Sequence, residues 1–133
     1  MTNLTDSLPE PEALLPLSPA VFHILLTLVA QERHGYSIMR EVESYTDGSL
    51  RLGTTTLYRS IKQMLAAHLI EEAEERPDPL LDDERRRYYR LTPFGRKVLR
   101  AESARLAKLV SLAQAKGVLA TDNLPGLSFG GTL

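Results

Sequence analysis

Apolar positions along this chain fall into four stretches with helical spacing, separated by shorter runs that alternate. Residues 20–30 are apolar almost all round, with His23 and Thr27 four apart on one narrow stripe. Ser18-Pro19 supplies the start signal, a hydroxyl at the N-cap followed by proline at the first helical position. A helix this apolar in a small domain needs cover on more than one side. Arg33-His34-Gly35 interrupts the pattern. Helical spacing resumes from Tyr36 to Tyr45, with Ile38, Met39, Val42 and Tyr45 on one face and Arg40, Glu41 and Glu43 away from it. Asp47-Gly48 marks a turn, and Leu50-Arg51-Leu52 alternates as a short strand would.

The next helix opens at Gly53-Thr54 and has two distinct faces. At about 100° per residue, Leu57, Ile61, Met64 and Leu65 share one side. Thr55, Arg59 and Lys62 share the other, within about 60° of one another. Thr56 and Gln63 flank them, Tyr58 lies at the boundary, and the outer face contains no acid. Leu69 to Ala73 and Arg86 to Leu91 then read as antiparallel strands around a loop holding Pro77 and Pro79. Alternation puts Arg87, Tyr89 and Leu91 on one side, and Arg86, Tyr88 and Arg90 on the other. Thr92-Pro93 repeats the cap-then-proline start for a last helix reaching about Lys116, where Gly117 stops it. Its stripe of Leu99, Glu102, Leu106, Leu109, Val110 and Ala113 comes close to a heptad seam.

These elements divide the chain into a flexible leader (1–16), a compact unit (17–92), a last helix (93–117) and a flexible, turn-rich tail (118–133). The 133 residues, 43% hydrophobic and 25% charged, suit one ordinary globular core. No cysteine is present, so disulfides, a thiolate nucleophile and Cys-ligated metal are excluded, and a reducing cytoplasmic setting fits. No apolar run is long enough for a bilayer, and the first residues lack a basic lead into an apolar core, so no membrane partner is expected. The net charge of −1 hides a sharp asymmetry. Residues 71–83 set seven acids against Arg76, whereas residues 84–100 set Arg85, Arg86, Arg87, Arg90, Arg96, Lys97 and Arg100 against Glu84. Such a split can create a basic surface, or can be spent internally as acid–arginine pairs across the hairpin.

Two helices, a polar-faced helix and a hairpin form the order of a winged helix-turn-helix, a mainly α fold with a small β-hairpin. The major groove of B-DNA admits an α-helix whose outward side chains reach base edges and phosphates. Arg59 is the candidate for a bidentate guanine contact and Lys62 for a phosphate. Thr54, Thr55 and Thr56 sit at a helix N-terminus, where hydroxyls, free N–H groups and the dipole favour phosphate oxygens. Arg85, Arg86 and Arg87 would track the backbone or reach a minor groove. Catalysis finds no support. His23, His34 and His68 are isolated, and no metal-ligand spacing, nucleophile elbow or phosphate-cradling loop is present, so neither metal nor cofactor is expected.

In these residues the chain resembles the PadR-like winged-helix transcriptional regulators. The matching segments are Leu25-Leu26 through His34-Gly35-Tyr36, Gly53-Thr54 through Leu57-Tyr58, Leu69-Ile70, and Arg87-Tyr88-Tyr89-Arg90-Leu91-Thr92-Pro93-Phe94-Gly95. The resemblance implies a homodimeric repressor of an imperfectly palindromic double-stranded operator, released by a small lipophilic or phenolic effector. It adds Tyr36 and Tyr58 to the DNA-contacting residues. It also implies a dimer face from the first and last helices, here Phe22, Leu26, Leu99, Leu106, Leu109, Val110 and Ala113. With no tryptophan, an aromatic effector would have to stack on Phe or Tyr, such as Phe22 or Phe94. Four features depart from the family pattern. Arg59 stands where proline is usual, and His68 stands where glycine is usual, which calls for a positive φ. The hairpin loop carries Asp78, Asp82 and Asp83, so its tip should bend away from phosphate. A single C-terminal helix marks a short form. The competing reading is a winged-helix protein-interaction module whose acidic loop binds a protein and never touches DNA. A third is an architectural protein that binds duplex without sequence preference.

Overall fold

The structure, a computed structural model, describes residues 7–73 and 87–120. A 3-10 turn (Pro11–Leu14) precedes helix α1 (Pro19–Thr27), strand β1 (Arg33–His34), helices α2 (Gly35–Tyr45) and α3 (Thr54–Ala66), strands β2 (Ile70–Ala73) and β3 (Tyr88–Leu91), and helix α4 (Pro93–Ala115). The fold is therefore mainly α with a small antiparallel sheet, as the sequence predicts. Both anticipated caps form. Ser18 Oγ accepts the Val21 N–H at 3.2 Å, and Thr92 Oγ1 accepts the Gly95 N–H at 2.8 Å. A third cap was not foreseen: His34 Nδ1 accepts the Ser37 N–H at 3.1 Å and opens α2.

The core is built from one face of each α-helix and from strands β2 and β3. Ile24, Leu25 and Leu28 meet Ile38 and Val42 of α2, Leu57, Ile61 and Met64 of α3, and Val98 and Leu99 of α4. Leu69, Ile70 and Tyr89 close it from the sheet side. Two joints hold the sheet in place. His68 has φ 61°, the positive value its position was expected to need, and turns the chain from α3 into β2. Thr92 Oγ1 donates to the His68 carbonyl oxygen at 2.6 Å, tying the start of α4 to that turn. Gly95 is required there, because a Cβ would lie 1.9 Å from the Leu69 carbonyl oxygen.

Three expectations are corrected. The third strand is Arg33–His34, not Leu50-Arg51-Leu52; sheet order is β1-β3-β2, with Arg33 opposite Tyr89 and His34 opposite Tyr88. The alternation at Leu50 and Leu52 reflects anchoring, since Leu52 is buried in the core and Leu50 packs against it. Helix α1 ends at Thr27 rather than near Ala30, because the Arg33 Nε donates to the Thr27 carbonyl oxygen at 2.8 Å and closes the helix end. Residues 7–16, read as part of a flexible leader, pack on the domain: Leu14 and Leu15 lie against the core beside α4. The buried Glu102 fixes this segment by accepting the Leu17 N–H at 2.8 Å. The tail beyond residue 120 lies outside the described residues.

Candidate nucleic-acid interface

Helix α3 presents two faces because its apolar residues recur at helical spacing. Leu57, Ser60, Ile61 and Met64 are buried, whereas Thr54, Thr55, Thr56, Arg59, Lys62 and Gln63 are exposed. Neither Arg59 nor Lys62 forms an ion pair among the described residues. The helix opens at Gly53 without a side-chain cap, so its first N–H groups face outward. A Cβ at Gly53 would meet nothing within 4 Å, so packing inside the chain does not demand glycine there. What its absence of a side chain does provide is clear approach to the positive end of the helix.

Tyr58 is placed differently from the other candidates. It is half-buried, and its hydroxyl lies 2.6 Å from where a Cβ on Gly35 would stand. It thus acts as a spacer in the joint between α2 and α3, and glycine at 35 makes room for it. Tyr36, next to that joint, is exposed at the start of α2. The Arg40 guanidinium lies over its ring at 5.6 Å, forming a stacked cationic pair one helical turn long. From sequence Arg40 is placed on the polar side of α2 but not among the DNA-contacting residues; its i,i+4 spacing from Tyr36 was the signal for the pair.

The wing carries its charge in another state. Arg85, Arg86 and the aspartates of the loop tip lie outside the described residues. Arg87 is exposed but 3.6 Å from the Glu72 carboxylate. Arg90, on β3, donates from Nε to Glu71 at 2.8 Å and comes within 3.6 Å of Glu32. The hydrogen bond to Glu71, with that carboxylate's charge, raises the Arg90 pKa further above its ordinary value. Acid–arginine pairing across the hairpin therefore holds for both wing arginines that are described.

The apolar faces assigned to dimer contact also separate. Leu26 and Leu109 are exposed, Phe22, Leu106, Val110 and Ala113 are partly so, and Leu99 is in the chain's own core. Leu99 fits the stripe in sequence, but the proximal part of α4 spends that stripe on the domain. Val29 and Leu112, both exposed, extend the outward faces and were not selected from sequence. Glu102, also on the stripe, is 2% exposed. Hydrogen bonds from Arg105 hold its carboxyl below the usual carboxylate range, helped by the Leu17 N–H and opposed by burial. Phe94 lines a cavity of about 190 Å³ with Leu8, His68 and Ile70.

A helix-turn-helix with an open cationic helix face beside a three-stranded wing defines the winged-helix class of regulators. Residues 24–101 match the transcriptional regulator PadR-like family, and the chain belongs to it. That family consists of transcription regulators, not enzymes. A transcriptional regulator from Clostridium thermocellum is 25% identical, with a TM-score of 0.59 over 75% of this chain and 90% of that one. The structure of H. salinarum RosR is also 25% identical, with a TM-score of 0.56 over 82% and 96%. A PadR family transcription regulator from Clostridium difficile shares the fold at 22% identity, with a TM-score of 0.61 over 74% and 97%. No curated protein registers as a match. Among the described residues no helix is long and apolar enough to cross a membrane, and no group of His, Asp and Glu could hold a metal ion.

Proposed function

We propose that the protein is a dimeric repressor that places α3 in the major groove of an imperfectly palindromic operator. The observation that carries this reading is the acid-free outer face of α3, where Thr55, Arg59 and Lys62 stand exposed above an aliphatic anchor of Leu57, Ile61 and Met64. Arg59 reads a guanine edge, Lys62 and the threonines of the first turn hold phosphates, and Tyr36 with Arg40 meets the backbone beside them. Tyr58 sets the angle between α2 and α3 instead of touching DNA. Two copies joined through α1 and the distal half of α4 would offer two such helices to half-sites about 34–36 Å apart, or a multiple of that spacing. The outward side chains of Leu26, Val29, Leu109 and Leu112 support that pairing. A small lipophilic or phenolic effector would release the operator, and the cavity beside Phe94 gives an aromatic ring a surface to stack on.

The test is a gel shift with operator DNA selected from a random pool, comparing the wild type with Arg59→Ala plus Lys62→Ala. Operator binding that the double variant loses supports the reading. Equal binding by both proteins, or no preference over random duplex, removes it. A dimer meeting about eight phosphates should show a log–log salt slope of roughly −7. Sedimentation of the full chain tests the dimer, and calorimetry against phenolic acids and lipophilic cations tests the effector.

A further inference from the structure

The two wing arginines are held with different firmness. Arg90 sits in the middle strand between carboxylates from both sides, directly opposite Glu71 in the register of β2 with β3 and near Glu32 ahead of β1. It braces the sheet. Arg87, one residue before β3, has one looser partner among the described residues, Glu72 at 3.6 Å; the side chains of this pair and of the Arg90–Glu71 pair are all about half exposed, so distance and number of partners set the two apart. Exposed pairs of that length contribute little and exchange partners readily. A phosphate offers a guanidinium a charge-assisted, bidentate alternative. Of the two described wing arginines, Arg87 is therefore the one placed to trade its carboxylate for DNA.

Resting on the reading that α3 grips duplex DNA, we propose that Glu72 competes with DNA phosphate for Arg87 and so sets the wing's contribution to specificity. On generic duplex, with α3 unseated, no phosphate is held close enough to displace Glu72. Arg87 then stays paired, and the carboxylate faces the DNA backbone. On the operator, base contacts from α3 fix the wing against a phosphate, which takes Arg87 over. Breaking the pair subtracts its energy from operator binding, whereas random duplex leaves it intact, so Glu72 narrows the margin between operator and random sequence.

The experiment measures the affinity of the full chain for selected operator and for random duplex across salt concentrations. It uses the wild type, Glu72→Gln, Glu71→Gln, Arg87→Ala, Arg87→Ala plus Glu72→Gln, and Arg59→Ala plus Lys62→Ala. Glu72→Gln should tighten operator binding about two- to fivefold near 0.1 M salt, the worth of one exposed ion pair. Random-duplex affinity should rise by less than about twofold, and Glu71→Gln should change little, because Arg90 keeps its place in the sheet. The gain must vanish in the Arg87→Ala background. A gain that persists there reflects plain charge repulsion and overturns the proposal, as does an equal gain from Glu71→Gln or no gain at all. Loss of operator binding in Arg59→Ala plus Lys62→Ala keeps the α3 reading whatever Glu72 does. If no protein in the set binds duplex, both readings fall together.

Discussion

Helix α3 and the wing both carry cations, yet their environments are opposite. Arg59 and Lys62 rise from a helix face without acids, held up by buried aliphatics, and meet no carboxylate among the described residues. Arg90 lies on a sheet strand and Arg87 just ahead of it, and a glutamate of the neighbouring strand reaches each. The lesson is that counting basic residues does not measure what a surface can offer to phosphate. Placement decides, because a carboxylate on the neighbouring strand can take up a guanidinium that one turn of helix would leave open.

The largest expected effect removes one side of this comparison altogether. Gly95→Ala would put a Cβ 1.9 Å from the Leu69 oxygen and 2.8 Å from its carbonyl carbon, both backbone atoms that cannot swing away. The start of α4 and the entry to β2 would have to part, at about 3 kcal/mol or more. Urea unfolding should reveal a large fall in midpoint, and an unchanged midpoint would show that the joint yields. Next comes the open side. Arg59→Ala plus Lys62→Ala should weaken operator binding about a hundredfold, since a good base contact alone discriminates by about 1–3 kcal/mol. The same variant should keep its thermal midpoint. Arg87→Ala should lower random-duplex affinity by less than about threefold, and a loss equal to the α3 variant would erase the contrast between the two surfaces.

A smaller effect probes how α3 is aimed. Gly35→Ala crowds the far end of Tyr58 and, at 3.2 Å, the Leu57 Cδ2, so a cost of about 1–2 kcal/mol is expected, and Tyr58→Phe should relieve the part due to the hydroxyl. Additive losses in the double variant would show that the hydroxyl is not what the glycine accommodates. The smallest effect at neutral pH concerns a third kind of charge, buried and paired. Glu102 has a carboxyl held below its ordinary value near 4.5, so its stabilisation is present above that value and is lost as pH falls through the lower, folded one. Glu102→Gln should flatten the decline in urea midpoint below about pH 4.5. A decline as steep as that of the wild type would place the acid sensitivity elsewhere.

Much of the architecture was legible in the residues. Ser18-Pro19 and Thr92-Pro93 start their helices as read, the two-faced character of α3 follows from its spacing, and His68 takes the positive φ its position required. The misreadings share a cause. Leu50 and Leu52 alternate like a strand, and Leu99 continues an apolar stripe, but burial inside the chain and burial in a strand or against a partner leave the same mark in one sequence. The two-residue strand at Arg33–His34 is too short to have any period, and only the exposed edge of β3 calls it into the sheet. Glu102 stood in the stripe of α4 and proved to be the anchor of Leu17, a contact across 85 positions that local pattern cannot contain.

What the sequence determined by itself was the order of elements, their caps and the side of α3 that faces outward, because each depends on residues within a turn or two of one another. Only the tertiary structure decided which cations remain open, which part of α4 the domain keeps for itself, and that Tyr58 fills a joint shaped by Gly35. Those outcomes depend on distances between elements far apart in the chain, and such distances exist only once the core has closed.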